Sequence, residues 1–312
     1  MNFTTTIYNV LIMFFYMAPA FILCKFGKVS QEHLKTVSTI LMFICTPALV
    51  INSFQEVEYN TENIKHIGEF LLTSIILHIV SVLILFFSFY KKFKDDPQYR
   101  VLTLAGTLGN VGFFGQPLVK ALYPDEKIVS CYSSLMIIAM TIVLFTFGVY
   151  SITLNKKYIS PLGILLNPST LSLIVAIIIF FCKWHFPKIL GDAISILGKM
   201  STPLCMHVLA VRLATVEDLK SLFLKPLTYV GVAIKLIALP LFFYLVVYFI
   251  PFFSDAMKGS CLILGGCPSG SLILAVAEVY NSDQELAGNS ILLSQIICIV
   301  TLPVVSLLLD VK

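Results

Sequence analysis

Charged side chains are scarce in this chain of 312 residues. Asp, Glu, Lys and Arg make up 12% of it, whereas 58% is apolar. Soluble domains carry about 25% charged and 45–50% apolar residues. A folded surface needs more charge than this to stay dissolved, and disordered chains are poor in apolar residues. The composition argues against a soluble enzyme, a nucleic-acid binder or a disordered chain. It favours an all-α polytopic membrane protein, because the apolar residues form long continuous runs.

Motifs that hold metals or perform covalent chemistry are also missing. None of the eight cysteines forms a CxxC pair, and no His and Cys residues cluster at the spacing of metal ligands. Neither GxSxG nor HExxH occurs, and no pair of Asp residues lies deep in an apolar run. The N-terminus lacks a basic region and a cleavage site, so it is interpreted as a membrane helix rather than a signal peptide. We therefore expect no metal, no cofactor and no enzymatic activity.

The apolar runs are long enough to cross a bilayer several times. A span needs about 20 residues to cross about 30 Å of hydrocarbon. Ten segments meet this length, although glycine and proline interrupt the fourth and ninth. The predicted spans are 6–25, 34–54, 66–90, 101–122, 129–152, 164–184, 189–213, 227–250, 258–280 and 287–309.

The orientation follows from Lys and Arg, which are enriched in short cytoplasmic loops. With the N-terminus outside, twelve of them fall on the inner side and seven on the outer side. This favours both termini on the outer side of the cell membrane. The inner residues are Lys25, Lys28, Lys35, Lys91, Lys92, Lys94, Arg100, Lys156, Lys157, Arg212, Lys220 and Lys225; the outer ones are Lys65, Lys120, Lys127, Lys183, Lys188, Lys258 and Lys312.

The two halves of the chain resemble each other. Several residues recur at offsets of 156 or 157, although chance similarity between apolar helices is the alternative. The matches are Gly109 with Gly266, Tyr123 with Tyr280, Ser133 with Ser290, His78 with Lys235, and Thr46-Pro47 with Thr202-Pro203. A repeat of five spans, here 1–153 and 154–312, forces the second copy to insert upside down. Inverted repeats of this kind are typical of secondary transporters, whose substrates bind between the repeats.

The fourth and ninth spans are interrupted at corresponding places. Proline removes a backbone donor and glycine tolerates unwound backbone, so both spans are predicted to break; close packing of small residues is the alternative. Two broken helices would direct their N-termini, with free N–H groups and partial positive charge, towards the midplane. These ends form an anion site, to which neutral side chains add hydrogen bonds. The candidate residues are Asn110, Gly112, Gly115, Gln116, Pro117, Cys267, Pro268, Ser269, Gly270 and Ser271.

Two lysines lie within predicted spans and have no matched acid. Lys199 is near the middle of the seventh span and Lys235 is in the eighth. Ionisable residues at membrane depth are candidates for function, and snorkelling to an interface is the alternative. Lys199, with Thr202 on the same face, is the stronger candidate of the two. Thr46 and Thr202 each precede a proline that is expected to kink its span, and both are candidate lining residues.

Several motifs resemble those of the auxin efflux carrier family of bacterial and plant transporters. GNVGFFGQPLV at 109–119 resembles the motif of its fourth span, and the segment 267–303 resembles its ninth and tenth spans. LGKMSTPL at 197–204 and KLIALP at 235–240 resemble its seventh and eighth spans.

The resemblance implies a ten-helix fold of two inverted five-helix repeats, in which helices 4 and 9 break and cross at prolines. Pro117 and Pro268 take these positions here. It also implies scaffold and transport subdomains, each formed from both repeats, that move like an elevator. Family substrates are organic anions, namely auxin in plants and dicarboxylates such as malate in some bacterial members. The chain has neither an Asn-Pro-Asn stretch nor a long central loop, which favours a bacterial carboxylate carrier over an auxin carrier.

The leading hypothesis is a secondary transporter for a small organic anion, a mono- or dicarboxylate. A sodium-coupled symporter for bile-acid-like anions is the alternative within the same fold group. A membrane sensor that binds a ligand without transporting it is the alternative from another class. The expected partners are the anion and the lipid bilayer, without nucleic acid, and a homodimer is one assembly that the sequence allows.

Overall fold

The computed structural model describes residues 2–216 and 225–310. Lys220 and Lys312, which enter the count of loop charges, lie outside the described residues. Within the described ranges the chain forms helices and no strands. In chain order these are α1 Asn2–Lys25, α2 Gln31–Gln55, α3 Thr61–Ser88, α4 Pro97–Thr107, α5 Gln116–Leu122, α6 Val129–Thr153, α7 Pro161–Leu165, α8 Pro168–Phe181, α9 Lys188–Ala214, α10 Pro226–Tyr248, α11 Asp255–Gly265, α12 Leu272–Val279 and α13 Gln284–Leu309, with single turns at Tyr90–Phe93 and Lys156–Tyr158.

Seven of these helices are long and apolar enough to cross a membrane: α1, α2, α3, α6, α9, α10 and α13. Their ends agree within five residues with seven of the predicted spans, which are confirmed. Helix α8, joined at a 41° bend to the segment that ends in α7, makes up to eight. The predicted fourth and ninth spans are instead the pairs α4–α5 and α11–α12, whose halves have 7 to 11 residues each. Helix length alone therefore accounts for eight spans and not ten.

Several long helices contain a wider π-helical turn just before a proline. Proline has no N–H, and its ring clashes with the carbonyl oxygen four residues earlier. A π turn moves that carbonyl away. Before Pro47, Leu41 O at the start of the turn accepts from both the N–H and the Oγ1 of Thr46, the latter at 2.8 Å. The turns that end two residues before a proline are Leu41–Cys45, Val111–Gly115 and Ile234–Ala238.

The helices pack in two groups. The first group, which we call the panel, contains α1, α2, α8 and α9: α1 packs along the second half of α9, and α2 packs against α8 and the first half of α9. The second, which we call the core group, contains α3 to α6 and α10 to α13. In it α3 packs on α6, while α10 and α13 enclose α4 and α11. Because α1, α2 and α8 also contact core-group helices, the two groups share one long interface.

Candidate functional site

The first interruption separates α4 from α5. Helix α4 starts at Pro97 after the side chain of Asp96 caps the N–H of Gln98, and it ends at Thr107. Leu108 is extended, and the helix resumes with the π turn Val111–Gly115 and continues into α5. The break therefore falls on residues 108–110. Pro117, expected at the break, lies instead inside the helix that follows it, directly after the π turn that makes room for the proline ring.

The second interruption separates α11 from α12. Helix α11 starts after Ser254, whose Oγ accepts from the N–H of Met257, and it ends at Gly265. Helix α12 begins at Leu272. The break is longer than the first, and Pro268 lies within it.

The two breaks are hydrogen-bonded to each other. Asn110 N–H donates to Pro268 O at 2.7 Å, and Gly270 N–H donates to Leu108 O at 3.2 Å. These reciprocal bonds form an antiparallel bridge between Gly109 and Ser269. Backbone groups freed inside a membrane need such partners, because lipid offers none. The bridge places Gly109 of the first half of the chain directly against Ser269 of the second half.

Glycine is required at the bridge because two backbones approach closely. A Cβ atom on Gly270 would lie 3.1 Å from Gly109 O. One on Gly109 would lie 2.9 Å from both Cε and Nζ of Lys235. Any side chain here would push the breaks apart or displace the lysine.

The carbonyl ends of the two interrupted helices have different partners. Ala105 O of α4 accepts from Ser269 Oγ at 2.9 Å, whereas Gly265 O of α11 accepts from Lys235 Nζ at 2.6 Å. Both carbonyls belong to the last turn of the helix that precedes a break. Lys235 is only 1% exposed, and it reaches the carbonyl from the π turn of α10.

A cavity of about 150 Å³ lies beside the bridge, between the panel and the core group. The panel contributes residues of α2, α8 and α9, and the core group contributes both breaks and α6. The first turns that follow the two breaks lie in its wall. The lining residues with polar side chains are Ser38, Thr46, Asn110, Thr141, Asn167, Ser169, Arg212, Ser269 and Ser271.

Arg212 is the functional candidate that the sequence reasoning missed, since it was counted only as an inner loop charge. It lies in the last turn of α9 and lines the cavity. Its buried Nε makes no hydrogen bond, and the guanidinium forms no ion pair shorter than 4 Å with a carboxylate of the described residues. Glu278 of α12 lies within electrostatic range. Composition could have identified Arg212 as a candidate, because arginine occurs only at 100 and 212 and every other Lys or Arg position is lysine.

The predicted site residues fall into two sets around the cavity. Those in its wall are Thr46, Asn110, Gly112, Ser269, Gly270 and Ser271. Those packed around the breaks without lining it are Gly115, Gln116, Pro117, Thr202, Lys235, Cys267 and Pro268. Several of the second set hold the breaks in place: Thr202 Oγ1 donates to Phe113 O at 2.7 Å, and Gln116 Nε2 donates to Ser130 O at 3.2 Å. Cys267 Sγ contacts Ile263 O within α11.

The two lysines within predicted spans differ in exposure, and the buried one is not the one that the sequence favoured. Lys199 is exposed at the end of the first half of α9, a stretch of 12 residues that buries only Gly198. Neither Lys199 nor Lys235 lines the cavity, and the functional role expected for each stays a prediction. The lysine buried among the helices is Lys235. His78 and His207 each bond a carbonyl of their own helix, as expected for structural histidines.

A helical protein with several membrane-spanning helices, and with two interrupted helices paired beside a polar cavity, has the architecture of a membrane transport protein. A family model described as "Membrane transport protein" matches residues 5–158 and again residues 151–306. The chain therefore belongs to this family, the auxin efflux carrier family of membrane transporters. A search of curated proteins gives no match.

Proposed function

We propose that this protein is a secondary transporter that moves a small organic anion, a mono- or dicarboxylate resembling malate, by alternating access. The observation that carries the proposal is the cavity beside the two breaks. Its wall contains the residues that begin the helices after both breaks, and Arg212, which forms no ion pair with a carboxylate of the described residues. The membership of a transporter family supports transport as such. The cavity supports an anion as the substrate.

Electrostatics favour a carboxylate in this cavity. The first N–H groups of a helix have no partner within the helix and carry partial positive charge. The turns that start at Val111 and Leu272 present such groups in the cavity wall. The guanidinium of Arg212 adds a full charge whose planar donors match a carboxylate. Asn110, whose Nδ2 lies 3.4 Å from Cys205 Sγ, adds a neutral polar group.

The position of the cavity supports an elevator-like movement. It lies between the panel and the core group, so sliding one group past the other would carry the bound anion with the breaks. Each half of the chain contributes to both groups: α1 and α2 of the panel come from 1–153, whereas α8 and α9 come from 154–312. This division, and the double match of the family model, support two inverted five-helix repeats. Counting each interrupted pair as one crossing span gives the ten spans of this proposal.

The proposal has both termini on the outer side of a cell membrane, as the loop charges favour, and contacts support the grouping of helix ends by side. Asn2 Nδ2 donates to Asp310 Oδ1 at 2.9 Å, so the two ends of the described chain lie together. Lys120 pairs with Glu56 at 2.8 Å, and both belong to predicted outer ends. Lys225 pairs with Glu285 at 2.6 Å, and both belong to predicted inner ends.

The direct test is the variant Arg212→Gln. We expect it to weaken binding of malate or another carboxylate by about 10- to 100-fold, because a hydrogen bond to a charged group contributes about 1.5–3 kcal/mol. Binding is measured as ligand-induced thermal stabilisation of the purified protein. The matched control is Lys225→Gln, which removes one basic residue from an exposed ion pair and should leave carboxylate binding unchanged.

Equal carboxylate affinity of both variants would contradict the anion site. Uptake of radiolabelled malate into proteoliposomes then separates transport from sensing. A transporter accumulates label inside the vesicles, whereas a sensor binds the ligand without moving it. Binding without uptake would replace the proposed function by the sensor.

A further inference from the structure

Lys235 carries a positive charge into the centre of the core group. Its Nζ donates to Gly265 O at 2.6 Å and lies next to Gly109. The residue is 1% exposed, and no carboxylate of the described residues lies within 4 Å of Nζ. The surrounding groups include the thiol of Cys267 and the imidazole of His78. A buried ammonium group without an acid needs another source of negative potential.

The end of α11 is such a source. The last carbonyl groups of a helix have no partner within the helix, and they carry partial negative charge. In ion-coupled transporters with interrupted helices, these helix ends and the unwound carbonyls coordinate Na⁺. Here the ammonium of Lys235 makes the contact that a bound cation would make.

The first break shows that the carbonyl end of an interrupted helix does not require a cation in this fold. Ala105 O, in the last turn of α4, accepts from the hydroxyl of Ser269. A neutral donor therefore satisfies the carbonyl end of one interrupted helix. The lysine on the other helix adds a fixed charge where a hydroxyl would complete the hydrogen bonding.

We propose that Lys235 is a tethered cation that takes the place of a coupling ion at the end of α11, so that the anion binds without Na⁺. The inference rests on the proposed function, and it decides between the uncoupled carrier and the sodium-coupled symporter. A permanently attached charge compensates the substrate anion in every conformation, whereas a free ion would have to bind and leave in each cycle. The replacement of a coupling ion by Lys235 concerns only the cation site, so it can be tested without the substrate.

The experiment measures thermal unfolding of the full chain in detergent, without any carboxylate. Wild-type protein in NaCl or choline chloride should unfold at the same temperature, within about 0.5 °C, because its cation position is filled. Lys235→Ala removes the side chain beyond Cβ and so empties the cation position next to Gly265 O. Na⁺ or n-propylammonium, which replaces the missing atoms, should then raise the unfolding temperature of the variant by about 2 °C or more over choline.

The matched control is Lys199→Ala, which removes an exposed lysine of the same membrane region and should respond to neither cation. A folded Lys235→Ala variant that ignores both cations overturns the proposal. Stabilisation of the wild type by Na⁺ over choline also overturns it, and this comparison remains decisive if the variant does not fold. Carboxylate binding is measured separately. If the cation results are as expected and no carboxylate binds, the proposed substrate is wrong while the role of Lys235 stands.

Discussion

The two helix interruptions are stabilised in the same way, by hydrogen bonds to each other, but they are built from different residues. In the second break Pro268 lies within the unwound segment, and its carbonyl accepts the bond from Asn110. In the first break no proline is present, since Pro117 has already entered α5. What both breaks share is an unwound segment that hydrogen-bonds to the other one. The partner backbone, more than the proline, therefore stabilises an interrupted helix at membrane depth.

The breaks also differ in charge. The carbonyl end of α4 is satisfied by a hydroxyl, and that of α11 by an ammonium group. Two halves of similar sequence thus form an electrostatically unequal pair. Substitutions at the breaks test this comparison, and their expected effects decrease in the order Gly109, Pro268, Ser269.

The largest effect is expected for Gly109→Val. Its Cβ would lie 2.9 Å from Lys235 Nζ and 3.3 Å from Cys267 O, so the side chain would displace the lysine and strain the bridge. We expect a loss of about 3 kcal/mol in the free energy of unfolding, at the upper end of overpacking effects. Thermal or denaturant unfolding in detergent measures it. Gly288→Val is the control, since no atom lies within 4 Å of a Cβ there, and its change should stay within about 0.5 kcal/mol. Equal stability of both variants would break the argument that close approach defines the first break.

An intermediate effect is expected for Pro268→Ala compared with Pro117→Ala. Alanine at 268 introduces an N–H that needs a hydrogen-bond partner inside the break. It also raises the conformational entropy of the unfolded chain, because proline restricts that chain more than alanine does. We expect a loss of about 1–2 kcal/mol. At 117 the π turn already makes room for the proline ring, and Thr202 Oγ1 donates to Phe113 O, the carbonyl four residues earlier. That variant should therefore lose about 0.5 kcal/mol or less. Unfolding temperatures of the two proteins compare them directly. A larger loss at 117 would restore that proline as the cause of the first break.

The smallest effect is expected for Ser269→Ala. The variant removes the hydroxyl that bonds Ala105 O, while the bridging backbone of residue 269 remains. A loss of about 1 kcal/mol is the usual value for one such hydrogen bond. Ser195→Ala, in the first half of α9, is the control and should leave the free energy of unfolding unchanged. If Ser269→Ala equalled the effect of removing Lys235, the two carbonyl ends would be energetically alike.

The sequence was sufficient for the parts of the fold that depend on length and composition. Seven spans were predicted to within five residues, because hydropathy over about 20 residues depends little on detail. The two interruptions were also predicted, from glycine and proline together. Their exact residues were not, since the bridge depends on a partner 160 positions away and the π turn absorbs the effect of Pro117.

The candidate site was harder to predict, because depth along a span does not reveal which way a side chain points. Lys199 and Lys235 both lie well inside apolar runs, but only the packing of α9 and α10 decides that one is exposed and the other buried. Arg212 follows an apolar helix and therefore looked like an ordinary inner charge. Its role in the cavity wall depends on α9 facing both breaks, which no local pattern encodes.

The bridge between Gly109 and Ser269 also sets an order of events during synthesis. The N–H of Asn110 belongs to the first half of the chain, and its acceptor on Pro268 is made much later. Loop closure over such a separation is slow, and contacts of this range form late in folding. The first break thus has no partner for the N–H of Asn110 until residue 268 has been made. The hydrogen bonds between the two breaks therefore belong to the later contacts that this chain can form.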